Sequence, residues 1–331
     1  MLERAAGGRG MAEQRMVSAG QIECGAARRR PAKRSGKQTG TRRSQKQAYL
    51  FLLPSLVILT VFVFVPLIGA FGISLTDINI YMKGGSFVGL DNFRKAFHDS
   101  RVWNATLNTC VFTLFEVPLQ VFLALFLLMF MMRNRRFDKF LRSVFYLPYV
   151  CSMTAISIVW SMLLDPNSGM LPYLLSKVGI QLPNLLGSPT WAMPTVIFVS
   201  VWKSFGYTLT ILSAAALGVS PSLYESAELD GAGRWQQFFY VTIPGIRDSI
   251  GFCLVTTLIT ALQVFDQIYV MTGGGPLYKT ETLVGYIYDR GFQTAPFNLG
   301  YASSIAVYLF LLIAVVTAVT RRYSFGQDDE L

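Results

Sequence analysis

Apolar positions in this chain come in long blocks rather than in short alternating runs. Six blocks stand out, over residues 48–74, 105–132, 144–164, 191–217, 250–271 and 301–320. Each is about twenty residues or longer, the length of helix needed to cross the hydrocarbon core of a bilayer. The pattern predicts an all-α, polytopic membrane protein with six transmembrane helices. Pro54, Pro66, Pro118 and Pro148 fall within or near the ends of these blocks. Proline is tolerated there because neighbouring helices re-satisfy the backbone groups it frees.

The polar segments between the blocks set the orientation. Between the second and third, Arg133, Arg135, Arg136, Lys139 and Arg142 stand against Asp138, and Arg321 and Arg322 follow the sixth. Residues 1–48 hold twelve of the 29 basic residues and three of the 19 acidic ones, nine of the net +10 charges. Basic residues mark the cytoplasmic ends of spans, and with six spans all three groups fall on one side. Both termini are then cytoplasmic. The loops at 76–104, 165–190 and 272–300, rich in Gly, Pro and Asn, lie outside, with Trp103 and Trp191 at the outer interface. The predicted division is a basic, disordered cytoplasmic tail over 1–47, a transmembrane domain over 48–323 and a short cytoplasmic tail over 324–331.

Composition agrees. The chain is 52% hydrophobic and 15% charged, with mean hydropathy +0.43, against about 25% charged residues in soluble domains. The tail RRRPAKRSGKQTGTRRSQK lacks apolar periodicity and interleaved aromatics, which suits contact with anionic lipid and not a nucleic-acid arm. Upstream of it, Met11 and Met16 offer alternative starts. Cys24, Cys110, Cys151, Cys253 and the single His98 form no CxxC or Cys/His spacing, so neither a disulfide framework nor a zinc site is expected. No nucleotide motif or nucleophile constellation is present, so the chain is not read as an enzyme.

One polar insert breaks the apolar pattern: YESAELDGAGRWQQFFYVTIP, residues 224–244, between the fourth and fifth blocks and therefore cytoplasmic. Pro221 after Ser220 reads as a helix start, and Ser222 with Glu225 has the capping-box spacing. That helix should reach residues 229–230. Gly231 and Gly233 let the backbone turn, a second short helix should cover 234–241, and Pro244 stops or redirects it. Two short helices at an angle fit either a docking knob or an interfacial amphipathic segment.

The same residues carry a family resemblance. Glu225-Ser226-Ala227, Gly231 and Val241-Thr242-Ile243-Pro244 keep the spacing of the EAA loop of ATP-binding-cassette importer permeases, with Ser, Val and Ile in place of Ala, Ile and Leu. Asp230-Gly231-Ala232 and Phe238 match its extended form in sugar permeases. After the fifth block, DQIYVMTGGGP at 266–276 and Gly300-Tyr301-Ala302 look like the first-position permease of carbohydrate importers, similar to the maltose and glycerol-3-phosphate systems. Lys279-Thr280 is no P-loop, because Tyr278 stands where Gly is needed.

The resemblance covers about 48–323 and implies a type I importer permease fold with a coupling loop at 221–245. It implies a second permease subunit, two ATPase subunits using ATP and Mg, and an extracytoplasmic solute-binding protein, in the plasma membrane of a prokaryote. This chain itself should bind no cofactor or metal. Glu225, Ala227, Asp230, Gly231, Ala232, Phe238, Ile243 and Pro244 are the implied ATPase-coupling residues. The solute would be an oligosaccharide, a monosaccharide or a glycerol phosphate, and the rival reading is an ATP-independent secondary transporter or channel.

For the solute path, Thr256, Thr260, Gln263 and Gln267 share one face of a continuous helix, with Thr257 beside it. The resemblance adds Lys203, Ser204, Tyr207, Thr257 and Thr260. Hydroxyl, amide and aromatic groups suit a carbohydrate, although Ser and Thr also join helices to one another. Glu116, Lys203 and Asp266 are ionisable groups within the blocks and are functional candidates on that ground. Lys203 could pair with either carboxylate or meet an acidic solute.

Overall fold

The structure, a computed structural model, describes residues 51–81, 85–131 and 136–325. The basic tail 1–47, Arg133, Arg135 and residues 326–331 lie outside them. By its internal contacts the chain divides into residues 1–57 and 58–331. Of the first unit, residues 51–57 are described and are helical.

Among the described residues all regular elements are helices, with isolated bridges at Thr76–Phe87 and Asn79–Asn298. Four helices are long and apolar enough to cross a bilayer: α1 (Phe51–Ser74), α3 (Ser100–Phe130), α7 (Ala192–Leu217) and α13 (Leu299–Phe325). A short amphipathic α2 (Asp91–His98) precedes α3. At 31 residues, α3 is about 46 Å long. It begins at Ser100 rather than at 105, because the Asp99 side chain accepts the Arg101 N–H at 2.9 Å and caps it.

The remaining two predicted spans are not straight. The third is a bent pair, α4 (Arg136–Val150) and α5 (Met153–Leu163), turned through 93° at Cys151 and Ser152. Pro148 lies inside the last turn of α4, where it removes one ladder N–H just ahead of the bend. A short α6 (Met170–Lys177) follows. The polar insert forms α8 (Pro221–Leu229) and α9 (Arg234–Gly245), and α9 meets α10 (Arg247–Leu262) at 70°. The predicted fifth span begins after that bend and is itself interrupted at 263–265, before α11 (Asp266–Met271). A further short helix, α12 (Leu283–Tyr288), precedes α13. Counting each bent pair as one span gives six.

Both π turns in the apolar and insert helices precede a proline by two residues: Thr60–Phe64 before Pro66, and Phe238–Thr242 before Pro244. A proline ring clashes with the carbonyl four residues back. The widened turn moves that carbonyl aside, so Pro244 redirects the chain after Gly245 rather than ending the helix at 241 as predicted.

Packing is closest where side chains are smallest. Gly206 of α7 lies against the backbone of α4, and a Cβ there would collide with the Phe145 carbonyl. Phe145 and Phe205 meet beside it with ring centroids 5.5 Å apart. Small residues let helix backbones approach in this way. On the outside, Phe62, Ile68, Leu114 and Phe122 are exposed, as lipid-facing side chains would be.

Candidate functional site

A cavity of about 360 Å³ opens among α3, α5, α7 and the broken end of α10. Glu116, Lys203, Ser204, Thr260, Gln263 and Gln267 all line it, as does Asp266, which is exposed. Seven residues singled out from three separate sequence blocks therefore share one wall. The single helical face predicted for span five does not exist, because α10 ends at Leu262. Gln263 is its C-cap, and Gln267 stands on α11. The break is stabilised from outside the helix: Thr282 donates its hydroxyl to the Val264 carbonyl at 3.0 Å. Backbone freed at membrane depth needs such a partner.

Lys203 is 8% exposed and does not reach Glu116 or Asp266 in an ion pair. Its Nζ donates to the Tyr149 carbonyl at 3.2 Å and sits 5.0 Å from the Tyr149 ring centroid. That carbonyl belongs to the last turn of α4, whose end carries partial negative charge. The lysine thereby closes the break in the third span. Ser200, one turn before Lys203, accepts from Gln267 at 3.1 Å and joins the wall. Its spacing from Lys203 on α7 was a usable signal that sequence reasoning passed over.

Two expected path residues lie off this wall. Tyr207 stacks on Tyr149 with centroids 4.6 Å apart, and Thr257 is buried beside Gln120. Thr256 and Thr260 give their hydroxyls to carbonyls of their own helix.

The polar insert at 221–245 is built as a braced corner. α8 starts at Pro221 with Ser220 as its cap residue, so Ser222 is inside the helix and the predicted Ser222–Glu225 capping box does not form. Ser222 instead meets the Ser220 hydroxyl at 2.8 Å and accepts the Ser226 hydroxyl at its carbonyl. At the other end Gly231 takes φ +80°, with Ala232 N–H to Ala227 C=O at 2.9 Å and Gly231 N–H to Glu228 C=O at 3.0 Å. These are the two bonds of a Schellman C-cap around Asp230. The Gly233 N–H donates to the Gln236 side chain at 2.7 Å and starts α9. Phe238 is 3% exposed and packs with Leu128 of α3, Leu209 and Leu212 of α7, and Cys253 of α10. Ile243 packs against the same cluster, while Glu225, Asp230, Gly231 and Pro244 are exposed.

A polar cluster at the far end was not anticipated. Asp99 accepts from Tyr286 at 2.5 Å and from Tyr301 at 2.7 Å, and Arg290 donates to the Tyr286 hydroxyl at 2.9 Å. Burial works to raise the Asp99 pKa, but the two phenols, the Arg101 N–H and the Arg290 charge outweigh it and hold the carboxyl below its ordinary range. Burial pushes Glu281 up, against the pull of Arg101, which it meets at 2.6 Å. In the adjoining loop, Gly273 at φ +58° and Gly274 at φ +83° make the turn, and the Thr272 and Thr280 hydroxyls lie 2.7 Å apart. No group of three or more metal-ligating side chains occurs among the described residues.

Comparison with known proteins gives a consistent result. Residues 116–325 match the family described as binding-protein-dependent transport system inner membrane component. The probable ABC transporter permease protein YurN of Bacillus subtilis is 35% identical over 85% of this chain and 97% of its own length. The sn-glycerol-3-phosphate transport system permease protein UgpA of Escherichia coli is 33% identical over 86% of this chain and 96% of its own. A crystal structure of a bacterial ABC transporter that imports the acidic polysaccharide alginate contains a similar chain, with TM-score 0.75 and 26% identity over 87% of this chain and 98% of that one. This chain therefore belongs to the inner-membrane permeases of binding-protein-dependent, carbohydrate-type ABC importers, whose ATPase is a separate subunit.

Proposed function

We propose that this chain forms one half of the membrane path of an importer for a sugar or sugar-like solute. An ATPase pair drives it by pressing on the corner at 221–245. One observation carries the reading. Phe238, at the inner side of that corner, packs against α3, α7 and α10, and those three helices carry Glu116, Lys203, Ser204 and Thr260 of the cavity wall. A push on the corner reaches the cavity helices through this buried cluster. Rigid-body movement of packed helices is a standard way for a local event to be amplified.

In this reading Glu225, Asp230 and Leu229 face the ATPase, which uses ATP and Mg. A companion permease completes the cavity, and a solute-binding protein delivers from outside. Both termini are cytoplasmic, in the plasma membrane of a prokaryote. Leu229 is 89% exposed at the tip. A cysteine placed there should cross-link to the ATPase in the assembled transporter, and uptake should be sensitive to vanadate. Labelling of that cysteine only from outside the cell, or nucleotide-independent uptake by the purified protein, would refute the assignment.

A further inference from the structure

The two helices of the corner present different chemistry to their surroundings. On α9, Trp235 is 60% exposed and Phe239, one turn on, 52%, and their rings stack with centroids 6.4 Å apart. Tyr240 beside them is 80% exposed. Of this aromatic run only Phe238 turns inward, to the cluster that roots the corner. A contiguous exposed apolar patch of this kind marks a surface that meets something other than water. α8 instead exposes Glu225 and Glu228.

Depth and direction identify what α9 meets. Phe238 packs in one cluster with Leu128 and Met131, at the end of α3, and with Ile246, just ahead of α10. There the apolar block of α3 gives way to Arg133, Asn134, Arg135 and Arg136. Phe130, in the last turn of α3, is exposed, as a lipid-facing side chain is. α9 is thus level with the end of a membrane span. It also meets α10 at 70°. Spans tilt by about 20° from the bilayer normal on average, so α9 lies roughly 50° or more from that normal and nearer the membrane plane. Arg234 and Gln236 are exposed on the same helix. An in-plane helix with Trp and Phe on one side and a basic, polar remainder has the make-up of an interfacial helix. Trp and Tyr are enriched at that level of the bilayer.

We infer that the corner is divided between two partners: the Trp235–Phe239 face of α9 rests in the boundary between lipid headgroups and acyl chains, and α8 alone projects into water to meet the ATPase. The contact of α8 rests on the import reading above. The lipid contact of α9 does not. Force applied to α8 would then turn the corner about a helix held at fixed depth.

The test uses the complete transporter in liposomes of phosphatidylethanolamine and phosphatidylglycerol. Single cysteines at 235, 239 or 229, in a chain whose four native cysteines are replaced by alanine, carry a nitroxide. Its collisions with oxygen, which concentrates in lipid, are compared with those with a water-soluble nickel chelate. At 235 and 239 the oxygen-to-nickel ratio should exceed one. At 229 the label should be shielded from both, because the ATPase covers it. The unsubstituted chain supplies a second measurement. A phospholipid with a photoactivatable diazirine near the headgroup end of its acyl chain should leave adducts on Trp235 or Phe239 and none over 225–230. A ratio below one at 235 and 239, shielding of both positions from both reagents, or a lack of adducts at Trp235 and Phe239 would overturn the inference; shielding would mean that protein covers this face. A label at 229 open to the nickel chelate would instead strike at the import reading and leave the lipid contact standing.

Discussion

Tyr224 and Thr242, eighteen positions apart, meet hydroxyl to hydroxyl at 3.0 Å and tie α8 to α9 across the Gly231 corner. Thr242 is fully buried, so this bond fixes the angle between two otherwise exposed short helices. Removing it with Tyr224→Phe should cost about 1 kcal/mol and loosen the corner without unfolding it. In the assembled transporter, solute moved per ATP hydrolysed should fall while basal ATPase activity persists. Unchanged stoichiometry would show that the brace transmits nothing.

Gly231 separates conformation from crowding. Its φ of +80° lies in the left-handed region, yet a Cβ built there meets nothing within 4 Å. Gly231→Val should cost roughly 1–2 kcal/mol or more through backbone strain alone, whereas Asn, which tolerates this region, should be mild. Uptake should follow the order Gly, Asn, Val. Equal loss with Asn and Val would mean that the partner's surface, not the backbone, excludes a side chain here.

Phe238 is the root of the corner. Truncation to Ala at a site 3% exposed should cost about 3–5 kcal/mol by comparison with core phenylalanines. The purified chain should unfold at lower temperature, whereas Leu229→Ala, at the exposed tip, should leave stability alone. Equal thermal behaviour of the two variants would contradict the anchoring role.

The far-end cluster predicts an acid limit. The Asp99 carboxyl is held below its ordinary pKa, so its contribution to stability is complete above the unfolded value and is lost as pH falls through the lower, folded value. Tyr301→Phe removes the 2.7 Å bond to Asp99 and should move this acid loss to higher pH, read as the pH midpoint of unfolding at fixed temperature. Glu281 has the opposite sign. Its raised pKa favours the folded state below the ordinary carboxylate range, and that benefit is lost as pH rises through the folded value.

Much of this was readable before any coordinates. Block length gave the helical membrane class, because a bilayer imposes it directly. The corner at Gly231 was legible because a left-handed residue leaves a glycine in the sequence. The start of α3 was missed: a capping Asp99 extends a helix into polar residues that hydropathy discards. The break at 263–265 contains neither Pro nor Gly. It depends on the Thr282 hydroxyl, eighteen residues away along the chain, and no local pattern reports such a partner. The wall residues Glu116, Lys203 and Gln267 were found by chemistry, since polar groups within apolar blocks are conspicuous. Tyr207 was assigned to the wall by position alone, and the structure stacks it on Tyr149 instead.

At Gly206, helix α7 presses on the Phe145 carbonyl with no room for a single added methyl. Two backbones in such contact cannot slide past one another without prising the seam apart. During a transport cycle these segments must travel as one plank, and the flexing has to be taken up at the 93° and 70° elbows.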